Sequence, residues 1–240
     1  MHKQISSVDI VIPVYNEEHC LHKNVLILFH YLKKIADFPW KIIIADNAST
    51  DKTPLIAAEL AQKYENIVYL SIPVKGRGYA LRNAFLQSTA DAVCYTDVDL
   101  STNIRYLRLL LDGVACGFDI AIGSRLMQGS RIKRCLAREI FSRIYNLLIK
   151  ILFFNSFTDA QCGFKAMRRE VAKEIIPLVN NNSWFFDAEL LLLAERNKYR
   201  IFEVPVEWVE DKRTKVQITK IVFEYLKELL RLRFRMWLKN

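Results

Sequence analysis

Short runs of β-branched residues alternate with segments of helical periodicity along the first hundred residues. Such alternation predicts repeated strand–helix–strand units, in which consecutive strands are parallel and the crossovers are right-handed. The predicted strands are 8–14, 41–45, 67–71 and 92–95, and the predicted helices between them are 17–35, 53–64 and 78–88. Functional groups of an open parallel sheet gather beyond the carboxyl ends of its strands. We therefore expect the chemistry of this protein directly after these four strands.

The second half of the chain is less regular. It predicts a strand at 119–122, a long amphipathic helix at 136–154, helices at 169–179 and 187–197, a strand at 201–208, and a helix from residue 218 onward. The apolar residues of the last helix recur at spacings of four and three, which places them on one helical face. They are Ile218, Val222, Tyr225, Leu229, Leu232 and Met236. Since no repeat or Pro/Gly linker divides the chain, we expect a single domain.

Composition and charge narrow the class of protein. The chain has 240 residues, of which 52% are hydrophobic, enough for a substantial core and too many for intrinsic disorder. Its formal net charge of +9 is concentrated in two segments. Residues 131–150 carry six basic and one acidic residue, and residues 211–240 carry nine and three. We expect any anionic partner to be met at these two segments.

Glycine and cysteine usage excludes several kinds of site. The chain has seven glycines and no Gly-rich nucleotide loop of the Rossmann type. Its five scattered cysteines predict reduced thiols of a cytosolic compartment, and neither a disulfide framework nor a zinc site. The first residues run directly into a strand pattern, so we expect no signal peptide. The apolar-rich stretch 140–157 is interrupted by polar residues, which makes it unsuitable as a membrane span.

The first candidate site is a pair of carboxylates after the fourth strand. Asp97 and Asp99 are separated by one residue, in the segment TDVDLS. Two such carboxylates can share a hard divalent cation, or one can bind the metal while the other binds a ligand hydroxyl. The alternative is that one of them caps the helix that follows.

Two more segments follow the second and third strands. In 46–53, Asp46 is suited to accept a hydrogen bond from a nucleobase imino group, although an Asx turn and a helix cap are alternatives. In 75–78, Lys75 and Gly76 begin a Lys-Gly-Arg-Gly sequence. There the glycines would let the backbone approach a ligand, while the cations would face phosphate. A surface turn is the alternative for this segment.

Taken in order, these strand-end motifs resemble the nucleotide-sugar domain of family 2 glycosyltransferases with the GT-A fold. The matching segments are 13–17 (PVYNE), 46–53, 75–82 and 97–99, and the later segments 159–165 (DAQCGFK), 184–190 (WFFDAEL) and 204–208 (VPVEW) look like the dolichyl-phosphate glucosyltransferase branch, which is related to dolichol-phosphate mannose synthase. The resemblance covers about residues 8–215. It implies a mostly parallel α/β sheet flanked by helices, with amphipathic helices toward the C-terminus. The expected organisation is a donor half at 8–125, an acceptor half at 126–215 and a terminal helix at 216–240.

What this resemblance implies is an inverting transfer of a hexose from a nucleotide donor to a polyprenyl phosphate. The glucosyl-branch motifs favour UDP-glucose as the donor, with GDP-mannose as the alternative. By motif match, the donor-binding residues are Pro13, Tyr15, Glu17, Asp46, Lys75, Gly76 and Asp97. Asp97 and Asp99 would hold Mg²⁺ or Mn²⁺. Related mannose synthases place a Gln two residues after the second Asp, where this chain has Ser101.

Arginine is the residue best suited to bind the phosphate of the acceptor. A phosphate monoester is already ionised near neutral pH, so binding and orientation matter more than a strong base, and the guanidinium fork suits a phosphate. By resemblance Arg125 contacts the acceptor phosphate, and Arg138 is the second candidate. Asp187 is expected to orient the acceptor or a sugar hydroxyl, while Glu189 caps or pairs with a cation. A structural salt bridge is the alternative role for this acidic pair.

Membrane contact follows from a lipid acceptor. Residues 138–157 and 218–238 combine apolar faces with basic residues, as an interfacial helix does. Packing within the protein or between copies is the alternative. We expect a cytoplasmic protein attached peripherally to the cytosolic face of a membrane. A glycosyltransferase acting on a soluble saccharide or protein remains an alternative, and no nucleic acid is expected, since an aromatic-basic recognition motif is lacking.

Overall fold

A seven-stranded sheet organises the computed structural model, which describes residues 5–210 and 218–237. The strand order is β3-β2-β1-β4-β7-β5-β8, and a separate pair joins β6 to β9. The strands are β1 (Val8–Val14), β2 (Trp40–Asn47), β3 (Ile67–Ile72), β4 (Ala92–Thr96), β5 (Ile120–Ser124), β6 (Arg131–Lys133), β7 (Phe164–Arg168), β8 (Ile201–Pro205) and β9 (Glu207–Val209). The helices are α1 (Leu21–Ile35), α2 (Thr53–Lys63), α3 (Arg77–Gln87), α4 (Leu107–Ala115), α5 (Leu136–Phe153), α6 (Arg169–Ile175), α7 (Phe186–Arg196) and α8 (Ile218–Trp237).

The pairing is parallel throughout the main sheet except at β7, which runs antiparallel to both β4 and β5. The expected mostly parallel α/β sheet is therefore confirmed. Both sheet faces are covered, because alternate residues of a strand enter opposite clusters. Ile10 and Ile12 of β1 pack with α1, α2 and α4, whereas Val11 packs with α3, α6 and α7. Burial on both faces explains why the strands read as continuous apolar runs.

The register brings three predicted segments to one edge of the sheet. Val14 at the end of β1 lies opposite Asp46 of β2, and Val11 lies opposite Tyr95 near the end of β4. The loops that follow these strands therefore lie side by side, and the start of α3 joins them. This edge carries the donor-side motifs.

Several elements differ from the sequence expectations. Strand β7 and helix α4 were not predicted, and the predicted strand 201–208 is broken at Val206 into β8 and β9. Helix α1 begins at Leu21, four residues later than predicted, because a turn occupies 17–20 and Leu21 N–H donates to the Glu17 carbonyl. Helix α6 ends at Ile175, and a 3₁₀ turn containing Pro177 follows.

The C-terminal helix packs on the protein through the face that the sequence identified. Leu229 and Leu232 are buried in the core, and Tyr225 and Met236 pack against it. The intramolecular alternative is therefore correct for these residues, while the side chains of Ile218 and Val222 lie outside the described ones. A different row of α8 is exposed and apolar, namely Leu226, Leu230, Phe234 and Trp237. Among the described residues, no helix combines the length and apolarity that crossing a bilayer requires.

Candidate active site

Hydrogen bonds join the loop after β1 to the loop after β2. Asn16 N–H donates to Ser49 Oγ at 2.9 Å, and Thr50 N–H donates to Asn16 Oδ1 at 2.8 Å. Glu17 N–H donates to Thr53 Oγ1 at 2.7 Å. Asn16 has a φ of 56°, a left-handed conformation that Asn tolerates better than most residues. The segment with Tyr15 and Glu17 is thus held in a fixed position beside the start of α2.

Asp46 is 3% exposed and has partners on both carboxylate oxygens. Ser49 N–H, three residues along the chain, donates to Oδ1 at 3.1 Å, which is one residue further than in the Asx turn of the alternative interpretation. The Tyr69 hydroxyl donates to Oδ2 at 3.2 Å. Each carboxylate oxygen has two lone-pair sites, so a further donor is chemically acceptable. Asp51 lies one residue before Lys52, the N-cap of α2, and its Oδ1 accepts from the N–H of Thr53, the first residue of the helix.

Close packing requires glycine at both positions after β3, a reason for the two glycines that the sequence did not show. A Cβ on Gly76 would lie 2.6 Å from the carbonyl oxygen of Asn182, and a Cβ on Gly78 would lie 2.7 Å from Phe186 Cβ. The chain before α7 therefore packs directly on the first turn of α3. Lys75 remains exposed, with its Nζ 3.9 Å from the centre of the Tyr15 ring. This cation and the positive end of α3 offer a favourable place for a diphosphate.

Asp97 is joined to Asp187 through an arginine. Arg77 Nη2 lies 2.7 Å from Asp97 Oδ1, and its Nη1 lies 2.6 Å from Asp187 Oδ2. Asp187 Oδ1 accepts from the Tyr95 hydroxyl and from Lys165 Nζ, the latter at 2.7 Å. Asp187 is thus enclosed by partners and supports Arg77, whereas the Asp97 side chain is 41% exposed. Of the two, Asp97 is open to a ligand.

Burial shifts the pKa values of two groups that lie behind Asp97, namely Asp187 and Lys165. Desolvation raises the pKa of Asp187, although the neighbouring Arg77 opposes this shift. Desolvation lowers the pKa of Lys165, a fully buried residue of β7, to about 7. Its ammonium group also donates to the Cys162 carbonyl at 2.9 Å. The sequence analysis expected the Arg77 cation to face phosphate, but in the structure its guanidinium pairs with Asp97 and Asp187 instead. Sequence reasoning missed Tyr95 and Lys165 as site residues, and the signal for Lys165 was a lysine within an otherwise apolar segment.

Gly163 makes room for the Asp97 carboxylate. A Cβ on Gly163 would lie 1.9 Å from Asp97 Oδ2, far closer than any contact allows, and Asp97 N–H donates to the Gly163 carbonyl at 3.2 Å. The DAQCGFK segment therefore forms the floor under the first carboxylate of the pair. This explains why a segment sixty residues away belongs to the same site.

Asp99 is oriented by Ser101. Ser101 N–H donates to Asp99 Oδ1 at 2.9 Å, and its hydroxyl donates to Oδ2 at 2.6 Å. The capping alternative does not hold for Asp99, because Asn103 caps the following 3₁₀ turn by accepting from Arg105 N–H. Ser101 thus fixes the second carboxylate of the pair in place.

The carboxylate oxygens of Asp97 and Asp99 are suitable ligands for a small hard cation such as Mg²⁺. Across residues 5–210 and 218–237, no group of three or more His, Cys, Asp or Glu side chains is arranged to hold a metal. Mg²⁺ typically uses one or two protein carboxylates and takes its other oxygens from water and substrate phosphates. Asp97 and Asp99 supply such a pair, beside an exposed lysine and a helix N-terminus suited to those phosphates.

Arg125 is held in a bidentate pair with Asp159. Its Nε lies 2.7 Å from Oδ2 and its Nη2 lies 3.0 Å from Oδ1. Burial of Asp159 opposes its ionisation, but the Arg125 guanidinium outweighs this effect and holds the Asp159 pKa at about 2. Arg125 also lines a cavity of about 340 Å³ that lies against the start of α5. The predicted acceptor arginine is therefore rigidly placed at a cavity wall.

Replacing Asp159 by Asn should lower the free energy of unfolding by about 3–5 kcal/mol at pH 7, since a buried cation then loses its partner. The folded-state pKa of Asp159 lies below the unfolded value of 3.8, so its stabilisation is present above pH 4 and is lost as the pH falls toward 2. Urea unfolding at pH 7 and at pH 3 measures the difference. The control Asp112→Asn removes a surface pair with Arg108 and should cost less than about 1 kcal/mol. An equal loss at both sites would contradict this account.

Arg134, and not Arg138, shares the cavity with Arg125. The guanidinium carbons of Arg125 and Arg134 lie 5.7 and 5.9 Å from the centre of the Trp208 ring. Burial and the charge of Arg125 lower the pKa of Arg134, although Glu139 opposes the shift. Arg134 itself pairs with Glu139 at 2.5 Å, and Glu139 and the exposed Arg143 also line the cavity. The cavity wall thus carries three arginines and one carboxylate, and this excess of positive charge favours an anionic ligand. Arg138 instead pairs with Glu210 at 2.5 Å and does not line the cavity.

The comparisons with known proteins agree with this arrangement. The family model described as "Glycosyl transferase family 2" matches residues 9–176. The chain is 36% identical to Glycosyltransferase AglD of Haloferax volcanii over 93% of its own length, but spans only 36% of that protein. It is 30% identical to Dolichyl-phosphate beta-glucosyltransferase ALG5D of Trichomonas vaginalis, covering 96% of this chain and 75% of the relative.

A solved structure shares the fold. Glucosyl-3-phosphoglycerate synthase of Mycobacterium tuberculosis, crystallised with Mn²⁺, uridine diphosphate and phosphoglyceric acid, aligns with a TM-score of 0.70 at 17% identity. The alignment covers 95% of this chain and 78% of that one. The GT-A fold expected from the sequence is therefore confirmed. The family model matches more than half of the chain, across the donor-side motifs, and shows that the chain belongs to glycosyl transferase family 2.

Proposed function

We propose that this chain transfers glucose from UDP-glucose to a polyprenyl phosphate such as dolichyl phosphate, with inversion at the anomeric carbon. One observation carries the proposal. The chain places a partly exposed carboxylate pair at the strand edge and, separately, a cavity lined by two largely buried arginines and by apolar side chains. The names of its dolichyl-phosphate glucosyltransferase relatives support the same pairing of substrates.

The donor would lie along the strand edge, within the half formed by residues 8–125. Asp46 would accept from the uracil imino group, with Tyr15 and Glu17 in the same loop pair and Pro13 in the buried strand directly before it. Lys75, Gly76 and the N-terminus of α3 would receive the diphosphate. Asp97 and Asp99 would hold Mg²⁺ or Mn²⁺, which when bound neutralises the charge that develops on the diphosphate leaving group. The Mn²⁺ and uridine diphosphate of the structural neighbour support this donor chemistry.

The acceptor would lie in the half formed by residues 126–215. An oxygen of its ionised phosphate attacks the anomeric carbon while the bond from that carbon to the diphosphate breaks. No base is needed, because the phosphate is already ionised. Arg125 and Arg134 would bind and orient the phosphate. Leu126, Met127, Ile132 and Leu136, which also line the cavity, would contact the first prenyl units.

Replacing Arg134 by Met should raise the KM for polyprenyl phosphate about tenfold or more, because a charge-assisted phosphate contact is worth about 1.5–3 kcal/mol. The KM for UDP-glucose should not change. Initial rates at varied concentrations of each substrate measure both values. Arg138→Met is the matched control and should remain within about twofold of the wild type, because Arg138 pairs with Glu210 outside the cavity. If Arg138→Met has the larger effect, the assignment of the acceptor arginines is wrong.

Helix α5 supports attachment to the cytosolic face of a membrane. Its exposed apolar residues are Leu136, Ile140, Phe141, Ile144, Leu147 and Ile151, and exposed Phe154 follows the helix. Exposed Arg143 and Lys150 accompany this row. Basic side chains beside an apolar row favour an anionic bilayer surface, and each contributes about 1 kcal/mol. The exposed apolar row of α8 would add to this contact.

Sedimentation with phosphatidylserine vesicles tests the membrane contact. The wild-type protein should sediment at low salt and less so as salt rises, because exposed charges are screened. Leu147→Glu should reduce sedimentation, since a carboxylate would then have to enter the interface. The control Leu55→Glu alters an equally exposed leucine on α2 and should sediment like the wild type. Equal effects of the two substitutions would argue against α5 as the membrane contact.

A soluble phosphorylated acceptor is the second candidate. The structural neighbour was crystallised with phosphoglyceric acid, and two arginines in a cavity suit a phosphate of either source. The apolar side chains that line the cavity and the exposed row of α5 favour the lipid. Transfer to 3-phosphoglycerate without lipid would support the second candidate.

A further inference from the structure

Glu189 is a buried carboxylate of α7 that the proposed chemistry does not use. Its side chain is 4% exposed, and each carboxylate oxygen has a partner. Oε2 accepts from Asn181 N–H at 2.7 Å, and Oε1 pairs with Arg235 of α8. The residue therefore connects the C-terminal helix to the chain segment that precedes α7.

That segment is in direct contact with the first turn of α3. Tyr79 N–H donates to the Asn182 carbonyl at 3.1 Å. A Cβ on Gly78 would lie 2.9 Å from the Asn181 carbonyl, and one on Gly76 would lie 2.6 Å from the Asn182 carbonyl. With so little space, a shift of 181–182 by a few tenths of an ångström has to move the 76–78 backbone or leave a gap beside it.

Packing alone does not determine where 181–182 lies. A cavity of about 130 Å³ separates this segment from α8, and its walls include Asn182, Glu228 and Arg231. Phe185 and Leu232 also line this cavity, but the space between the walls leaves the segment without close packing on this side. The hydrogen bond from Asn181 N–H to Glu189 provides a specific restraint there, because a buried carboxylate is a strong, directional acceptor.

We propose that Glu189 is a positioning residue for the diphosphate of the donor. By holding 181–182 against the glycines of 76–78, it fixes the backbone at the start of α3. There Gly76 N–H and Tyr79 N–H already donate to Asn47 and Asn182, and the N–H groups of residues 77–78 between them would face the phosphates. This inference rests on the proposed donor site. It assigns the two acidic residues of FDAEL distinct tasks, because Asp187 supports the Arg77 side chain whereas Glu189 supports the backbone of the same loop.

Titration calorimetry with uridine diphosphate and uridine monophosphate, in the presence of Mg²⁺, tests the proposal. Glu189→Gln keeps the size of the side chain but loses the ion pair and weakens the acceptor. We expect the Kd for uridine diphosphate to rise about tenfold and the Kd for uridine monophosphate to change less than twofold. A general loss of folding would instead reduce the binding stoichiometry of both nucleotides equally.

Arg196→Met is the matched control, because Arg196 Nη1 donates to the Met236 carbonyl and also joins α7 to α8, away from 181–182. It should leave both Kd values unchanged. The proposal is overturned if Glu189→Gln binds both nucleotides as the wild type does, or if Arg196→Met reproduces its effect. Failure of the wild-type protein to bind uridine diphosphate would instead refute the donor site on which the proposal rests.

Discussion

Asp99→Asn is expected to reduce the rate of glucosyl transfer by about a thousandfold or more. The substitution removes a carboxylate from a pair that would hold the divalent cation, and a lost metal contact costs several kcal/mol of transition-state stabilisation. The fold should persist, since Asp99 is partly exposed at a strand end and an Asn can still accept from Ser101. Steady-state transfer at saturating Mg²⁺, with thermal unfolding measured in parallel, provides the comparison.

Two further variants show whether the loss of transfer is specific to the carboxylate pair that would hold the metal. Ser101→Ala removes one hydrogen bond to Asp99 and should cost about tenfold or less. Asp112→Asn changes a surface carboxylate of α4 and should behave as the wild type. Retention of more than a tenth of the wild-type activity in Asp99→Asn would contradict a metal role for this residue.

Gly163→Ala should be nearly as damaging, although it adds only a methyl group. The new Cβ would lie 1.9 Å from Asp97 Oδ2, so the Asp97 carboxylate or the Gly163 backbone has to move. Because Asp97 also binds Arg77, its displacement would disturb the pairing behind the site. We expect transfer to fall at least about a hundredfold, as displacing a reacting group by 1 Å does, and the affinity for Mn²⁺ to fall with it.

Gly113→Ala separates this effect from simple overpacking. Its Cβ would lie 2.4 Å from Phe202 Cδ1, a clash of similar severity between α4 and β8, away from the carboxylates. Overpacking typically costs about 1–3 kcal/mol of stability. The control should therefore unfold at a lower temperature yet keep its activity per folded molecule. If Gly163→Ala loses stability but no specific activity, then Gly163 does not shape the Asp97 site.

The donor half could be predicted because local pattern and tertiary role agree there. Strands such as β1 and β2 are buried on both faces, so their apolar runs end where the loop begins or, in β2, two residues before it. Strand β7 could not be found in the same way. Its sequence, FKAMR, contains Lys165, whose burial depends on Asp187 and on backbone carbonyls contributed by other segments. The hydrophobic periodicity of a sequence contains no information about such distant partners.

The site residues also divide into those that the sequence predicts and those that depend on partners from distant segments. Asp97 and Asp99 were predicted as site residues because they follow a predicted strand, and Arg125 was predicted from the resemblance of its segment to the family. The second acceptor arginine was assigned to Arg138, whereas the structure places Arg134 in the cavity, since Arg138 is turned toward Glu210. A spacing of four residues puts both arginines within reach of the same region, and the choice depends on the position of an acidic residue beyond β9. Likewise, the exposed apolar row of α8 becomes visible only when the packed face is known.

The most direct test is transfer of label from UDP-[¹⁴C]glucose or GDP-[¹⁴C]mannose to polyprenyl phosphate, scored by extraction into organic solvent. The account predicts extractable label from UDP-glucose that requires Mg²⁺ or Mn²⁺ and disappears in excess chelator, with little label from GDP-mannose. It would be contradicted by full transfer in the chelator, by faster transfer from GDP-mannose, or by label that moves only to a water-soluble acceptor.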